Sequence, residues 1–475
     1  GRRERTGRVM TQPVTQEKIE QTTRRLTEMF EEGFRSMMGA DEAVFEKRIG
    51  VELKFPLVTV TGEVPPEAAV KALWEHLGRN GWTPDRDTMS GNVVGAHKAG
   101  EQNDTVASCE TGYCKPEFSL AHAADLFGLE EQIRDLRATL KPYCEQAGVR
   151  FLTYGIQPLS PPGRDLMMKK ARTSFWHHAC PSNRCIPEEE GDDVQLFTVN
   201  AGSHVHIGAP RSEALRLVNV LNGFAPAQLA LTAHSNVWRG ALDEDYKCVN
   251  EKLWDWWEPA RNRCGVPVRP FRDIADYVET VSSFRPIYVK RDGQPIVLSE
   301  YDSFREFYAA DGAVGRDING NEVELQPEAK DIDLHNSCYW YNARVSRYYT
   351  VENRTCDQQP GDALLSIAAM TLGLSEVSDQ AWEVLRGYDW PVLRRGREAA
   401  CRDGLAGEMD GLILADLCKQ MLDLCDEGLR RRGRNEEAFL EPLRKRLRDR
   451  RCPADDVADV FSEGGISGLI ENRSL

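Results

Sequence analysis

Apolar positions recur with helical spacing over residues 13–38, 65–81 and 123–147, and charged residues fill the opposite face of each stretch, so three amphipathic helices are expected. Residues 49–62 and 105–120 read as strands, and 149–157, 194–208, 283–290 and 343–354 add further strand candidates. Strands and helices therefore interleave. This predicts an α+β protein with an antiparallel or mixed sheet and helices packed on one face. From about residue 361 the pattern becomes nearly continuous helix, in which Leu412, Leu417, Met421, Leu424 and Leu429 form an apolar stripe of the kind that packs into a core. The expected organisation is a basic segment and helix over 1–40, a sheet domain over 41–360 and a helical region packed on it over 361–475. Two segments, the acidic 187–193 (PEEEGDD) and the Gly/Asp/Asn-rich 311–330, read as surface loops able to cover a site.

Composition narrows the function classes. With 475 residues, 41% hydrophobic and 28% charged, the chain has the make-up of a globular protein with a large core. A net charge of -15 argues against a general nucleic-acid binder, because phosphate backbones are held by basic surfaces, but leaves room for a local cationic pocket. No run of about 18 apolar residues suggests a membrane span. The start, GRRERTGRV, is basic without the apolar core of a secretory signal, and Met10 is a candidate natural first residue. Thirteen cysteines, an odd number without small-domain spacing, read as reduced thiols in a cytoplasmic protein. HHACPSNRC (177–185) offers His177, His178, Cys180 and Cys185. With no second ligand couple nearby, a reduced loop is favoured over a zinc site or a Cys180–Cys185 bridge.

The chemistry-bearing residues lie two apart on strand-like segments. Side chains alternate across a strand, so VENRTCD (351–357) puts Glu352 and Arg354 side by side, either as a structural ion pair or as half of a site where a cation and a phosphate meet. GVELKF (50–55) does the same for Glu52 and Lys54, NAGSHVHIG (200–208) for His204 and His206, and CETGYCKPEFS (109–119) adds Glu110 and Glu117 around a Gly-containing turn. Carboxylates and histidines on rigid strands suit Mg²⁺ or Mn²⁺ bridging protein oxygens and nucleotide phosphates, while arginines neutralise a transferring phosphoryl group. No GxxxxGK[ST] segment is present, which argues against a P-loop. Trp254, Trp256 and Trp257 read as a packed helix face rather than a ligand platform.

In that order, GVELKF, ETGYCKPEFS, GSHVHIG and VENRTCD resemble the metal and phosphate motifs of the glutamine synthetase-like carboxylate-amine ligases. Within that group the chain is most similar to the plant and proteobacterial type of glutamate-cysteine ligase. FLTYGIQP (151–158), ALTAHSNVWRG (230–240), CDEGLRRRG, FLEPL and CPADDVADVF extend the resemblance from about residue 45 to 470. It implies a glutamine synthetase-like sheet and an ATP-dependent ligase acting on small-molecule substrates: a carboxylate, the γ-carboxylate of glutamate, is activated as an acyl phosphate and attacked by an amine such as cysteine. By resemblance Glu52, His204 and Glu352 would hold one metal and Glu110 with Glu117 another. Arg354 would stabilise the transferred phosphoryl, with His206 and Arg344 or Arg347 near the phosphate or the donor carboxylate. Arg285 (SSFRPIY) is a candidate pocket residue, and His335 (DIDLHNSCYW) a candidate either for the site or for packing.

The departures count as well. Where the family shows a second glutamate two residues after Glu52, this chain has Lys54, whose ammonium repels a metal and would supply positive charge itself. The stretch 164–195 also departs from the family's acceptor region, so the amine is not legible. A phosphotransferase of the same fold and a catalytically silent nucleotide-binding or partner-binding relative are the competing expectations.

Overall fold

The computed structural model describes residues 14–39, 45–88, 90–170, 194–298 and 300–475. Met10, the 177–185 His/Cys loop and the 187–193 acidic loop lie outside them. Among the described residues the cysteines are unbridged, and no helix is long and apolar enough to cross a membrane.

The molecule is built on one eight-stranded sheet. In chain order its strands are β1 (Ile49–Lys54), β2 (Thr83–Arg86), β3 (Val93–Lys98), β4 (Thr105–Cys109), β5 (Pro116–Ser119), β6 (Gly202–Ile207), β7 (Ala343–Val345) and β8 (Val351–Asp357). Their spatial order is β7-β8-β6-β1-β5-β4-β3-β2, and every neighbouring pair is antiparallel. The first predicted strand, 49–62, is broken at Pro56, which cannot donate to a ladder, and Leu57–Thr59 pairs instead with Val149–Phe151. Residues 194–198 form a 3₁₀ turn, so only the second half of the predicted 194–208 strand joins the sheet.

One face of the central strands is apolar. Ile49, Val51 and Leu53 of β1, Val205 and Ile207 of β6 and Val351 of β8 are buried there. The helices Arg211–Gly223, Ala225–Thr232 and Ser366–Glu376 pack against these strands. The first two were absent from the sequence reading because nearly every residue of 214–233 is buried, so no polar face marks a helical period. At the other end of the sheet, Glu67–Arg79 packs on β3 and against Leu126–Ala147. The predicted N-terminal helix spans Gln16–Met38 and docks Phe30 and Phe34 against Tyr349, with Phe30 also meeting Tyr277.

The 311–330 segment is not a loop. Ala313–Arg316 and Glu322–Leu325 form a hairpin that completes a four-stranded antiparallel meander with Tyr288–Arg291 and Gln294–Val297. Asp317 closes its turn by accepting the backbone N–H groups of Asn319 and Asn321, the chemistry its Asp-x-Asn-Gly-Asn sequence encodes.

The C-terminal stripe packs as the pattern predicts. Leu417, Met421 and Leu429 of the helix Leu414–Arg432 are buried against Ser366–Glu376, whereas Leu412 lies just before that helix and Leu424 is half-buried. The two helices touch backbone to backbone: a Cβ on Gly428 would stand 1.9 Å from the Gly373 carbonyl oxygen, and one on Gly373 2.4 Å from that of Cys425. Neither obstacle is a side chain that can swing away. Gly428→Ala is therefore expected to destabilise the protein by about 3 kcal/mol or more, read as a lower denaturation midpoint. A substitution that leaves the midpoint within error would mean that the helices are not in this contact.

Candidate active site

The opposite, polar face of the central strands carries the predicted residues, and pairing across strands brings them together. Glu52 stands opposite His204, Lys54 opposite Glu117, His206 opposite Glu352, and Glu352 opposite Arg344. Directly opposed side chains on one face lie about 5 Å apart at Cβ, so a short row of charged groups becomes one network.

Glu52 is its centre. Its Oε1 lies 2.9 Å from His206 Nε2 and its Oε2 3.1 Å from His204 Nδ1. Burial opposes ionisation of Glu52, yet His206, His204 and Lys54 together hold its carboxyl well below the ordinary range. Burial also disfavours the His206 imidazolium, but Glu52 outweighs it and raises that pKa. His204 is different: burial, with Lys54 and Arg354 nearby, lowers it to about 3, so it is a neutral imidazole. Its Nδ1 faces the Lys54 ammonium at 3.3 Å.

Glu352 is held from two sides. Arg344 Nε donates to Oε2 and Arg354 Nη1 to Oε1, each at 2.7 Å, and the two guanidiniums override burial to keep this carboxyl far below its usual range. Arg344 also donates to the carbonyls of Ser337 and Tyr339, which anchors it in the framework. Arg354 is less enclosed and lies over the ring of Trp254 at 5.9 Å. Trp254 in turn stacks on Trp340 and meets Phe197, so this tryptophan, read as a packed face, also walls the site.

One oxygen or nitrogen each from Glu52, His206 and Glu352 lie within 4.8 Å of one another, a mixed carboxylate and imidazole set that suits a hard or borderline divalent ion. His206 completes this set, and the expected His204 stands beside it, its Nδ1 3.1 Å from Glu52 Oε2, 3.7 Å from Glu352 Oε1 and 3.3 Å from the Lys54 ammonium. The hydroxyl of Thr350 lies 2.7 Å from the second nitrogen of His206 and fixes the ring.

Glu117 meets Lys54 at 3.0 Å and accepts a hydrogen bond from Ser119, and Glu110, in the turn before β5, adds its field to both. Three expected residues stand apart. Arg347 sits in the exposed turn before β8, against Tyr348. Arg285 is exposed, pairs with Asp302 and lines a separate cavity of about 810 Å³ with Arg263, Phe284 and Tyr341. His335 is buried, stacked on Phe304 at 4.2 Å, with Nε2 bonded to the carbonyl of Val281; of its two readings, packing is the one realised.

Behind the row runs a buried chain that no motif of the sequence marks. Lys115 Nζ donates to Asn200, Asn200 to Asn250, and Asn250 to Asp357, which also takes the N–H of His234 and the hydroxyl of Ser235. Burial, then the repulsion of Lys54, lowers Lys115 to about 7, and burial raises Asp357 to about 7. Lys115 was findable, since it stands two residues before Glu117, just ahead of β5. The asparagines carried no such signal.

The family model described as glutamate-cysteine ligase family 2 (GCS2) matches residues 48–472. The chloroplastic glutamate-cysteine ligase of Brassica juncea is 23% identical over 383 residues, covering 79% of this chain and 70% of that protein. A Nocardia farcinica protein provisionally assigned as glutamate-cysteine ligase 2-1 is 32% identical over 190 residues, 39% of this chain; the match spans 44% of that protein's length. Among solved structures, the glutamate-cysteine ligase of Francisella tularensis in complex with AMP superposes with a TM-score of 0.51 at 10% identity, covering 90% of this chain and 87% of that one, a likeness of fold. With its matched span running from just before β1 almost to the C-terminus, the chain belongs to glutamate-cysteine ligase family 2.

Proposed function

We propose that the protein is an ATP-dependent carboxylate-amine ligase that activates a carboxylate, the γ-carboxylate of glutamate, as an acyl phosphate and joins it to an amine such as cysteine. The observation that carries this reading is the pairing of Glu52, His206 and Glu352 with the Arg344 and Arg354 guanidiniums on one sheet face of a family 2 chain. A carboxylate is a poor electrophile until one oxygen becomes a leaving group, and phosphorylation by ATP supplies that. Phosphoryl transfer asks a protein chiefly to position reactants and neutralise charge.

Each group has a role in that scheme. Glu52, His206 and Glu352 would hold a divalent ion, Mg²⁺ or Mn²⁺, which supplies positive charge at the phosphate oxygens. Arg354, with one edge on Glu352 and its plane beside Trp254, has donors left to meet the transferring phosphoryl group. Arg344 positions Glu352 through the carbonyls it also binds. The wall of Trp254, Trp340 and Phe197 keeps water from one side of the acyl phosphate, which would otherwise hydrolyse.

The reading is tested by ADP release from ATP across pools of carboxylates and amines, followed by the mass of the product. ADP formation that depends on a carboxylate and an amine together is expected. ATP binding without turnover on any pair would instead select a silent relative. Glu352→Gln, which keeps the side chain's shape, should lower kcat/KM at least tenfold, and so should Arg354→Lys, because an ammonium cannot reproduce the planar fork of the guanidinium. Retention of more than a tenth of the activity, a loss under about 1.4 kcal/mol, would remove that residue from the mechanism. Glu352→Ala should in addition cost about 3–5 kcal/mol of stability, since it leaves two guanidiniums without their carboxylate.

The residues outside the network should behave otherwise. Arg285→Ala is expected to leave kcat/KM within about twofold of the unaltered protein, its ion pair being fully at the surface. His335→Ala should lower the stability by about 1–3 kcal/mol, read as a lower unfolding midpoint, with little change in the turnover of the folded fraction. A selective loss of activity at either position would place it back in the site.

A further inference from the structure

Lys54 is a charged residue where a buried acidic cluster would otherwise call for a cation from solution. Its side chain is 9% exposed, and its ammonium lies 3.0 Å from Glu117 Oε2 and 3.9 Å from Glu52 Oε2, with neutral His204 Nδ1 at 3.3 Å. Ser119 holds the other oxygen of Glu117, which aims the carboxylate at the lysine. Four carboxylates, Glu52, Glu110, Glu117 and Glu352, thus share the region with four basic side chains, Lys54, Lys115, Arg344 and Arg354.

Two metal positions are implied by the family resemblance, and only one fits these residues. The Glu52, His206 and Glu352 set is open to an ion. At Glu117 the Lys54 ammonium stands 3.0 Å from Oε2, where an ion held by that oxygen would sit, and an ammonium and a divalent ion at contact distance repel strongly where water is excluded. We propose that the Lys54 ammonium takes the place of a second divalent ion, so that this protein holds one resident metal, and that Glu110 and Glu117 serve to hold the lysine. A built-in charge of this kind has no dissociation equilibrium: it is present whatever the free metal concentration. Under the ligase reading it lies on the face where nucleotide phosphates must be neutralised, and in that respect the inference rests on that reading.

Ion count decides the matter without reference to turnover. In a titration of nucleotide-free protein with Mn²⁺, followed by the electron paramagnetic resonance signal of free Mn²⁺, the unaltered chain should bind one ion with high affinity. Lys54→Arg should also bind one. Lys54→Glu should bind two, with spin coupling between ions a few ångströms apart. Lys54→Gln, which removes the charge and adds none, should gain the second ion as well and serves if the glutamate variant does not fold. A count other than one for the unaltered protein overturns the inference, as does a folded glutamate or glutamine variant that stays at one. Failure of every carboxylate and amine pair to release ADP would sink the ligase reading and leave the ion count standing, whereas two ions in the unaltered protein would do the reverse.

Discussion

Antiparallel pairing of β8, β6, β1 and β5, with one register shift between Asn353 and Cys356 of β8, is the constraint on which the rest of the molecule depends. It sets Glu352 against His206, Glu52 against His204 and Lys54 against Glu117. A slip of one residue in any strand would send its charged row into the apolar face and its valines and isoleucines into the polar one. Each misplaced charge would then sit among helices with nothing to pair with. The register is thereby held by both faces at once, by apolar burial on one and by ion pairing on the other.

The two faces divide the work. The helices Arg211–Gly223, Ala225–Thr232 and Ser366–Glu376 bury one face so thoroughly that the strands have no freedom to shift. The C-terminal helices support the other face indirectly. Arg473 donates to His234 Nε2, and the carbonyl of Ala454 accepts from Asn236, in the same turn whose His234 and Ser235 hold Asp357 at the end of β8. The far end of the chain thus braces the strand that carries Glu352 and Arg354.

Within the network, similar residues are given different states by their neighbours. His204 and His206 are two apart on one strand and both meet Glu52, yet burial with Lys54 and Arg354 keeps the first neutral while Glu52 and Glu352 favour the charged form of the second. Glu52 and Glu352 are held ionised by cations close by, whereas burial dominates at Glu117 and raises its pKa. Buried charges of both signs keep one another in place, and the loss of one member leaves its partner without compensation.

Much of this was legible in the chain itself. The three early amphipathic helices, most of the central strands, the C-terminal apolar stripe and the residues Glu52, Lys54, Glu110, Glu117, His204, His206, Glu352 and Arg354 follow from period-two and helical patterns, which are local properties of a polypeptide. What no local pattern records is contact between distant segments. How His204 and His206 are shared among Glu52, Glu352 and Lys54 depends on where those side chains meet. The burial of His335 under Phe304, the outward turn of Arg285 and Arg347 and the chain from Lys115 to Asp357 arise where segments far apart in sequence meet. The helices of 211–232 escaped because complete burial erases the polar face that would have marked them. Alternation along a strand decided which side chains share a face; only the packed sheet, through its register and the exclusion of water, decided which of them meet and in what charge state.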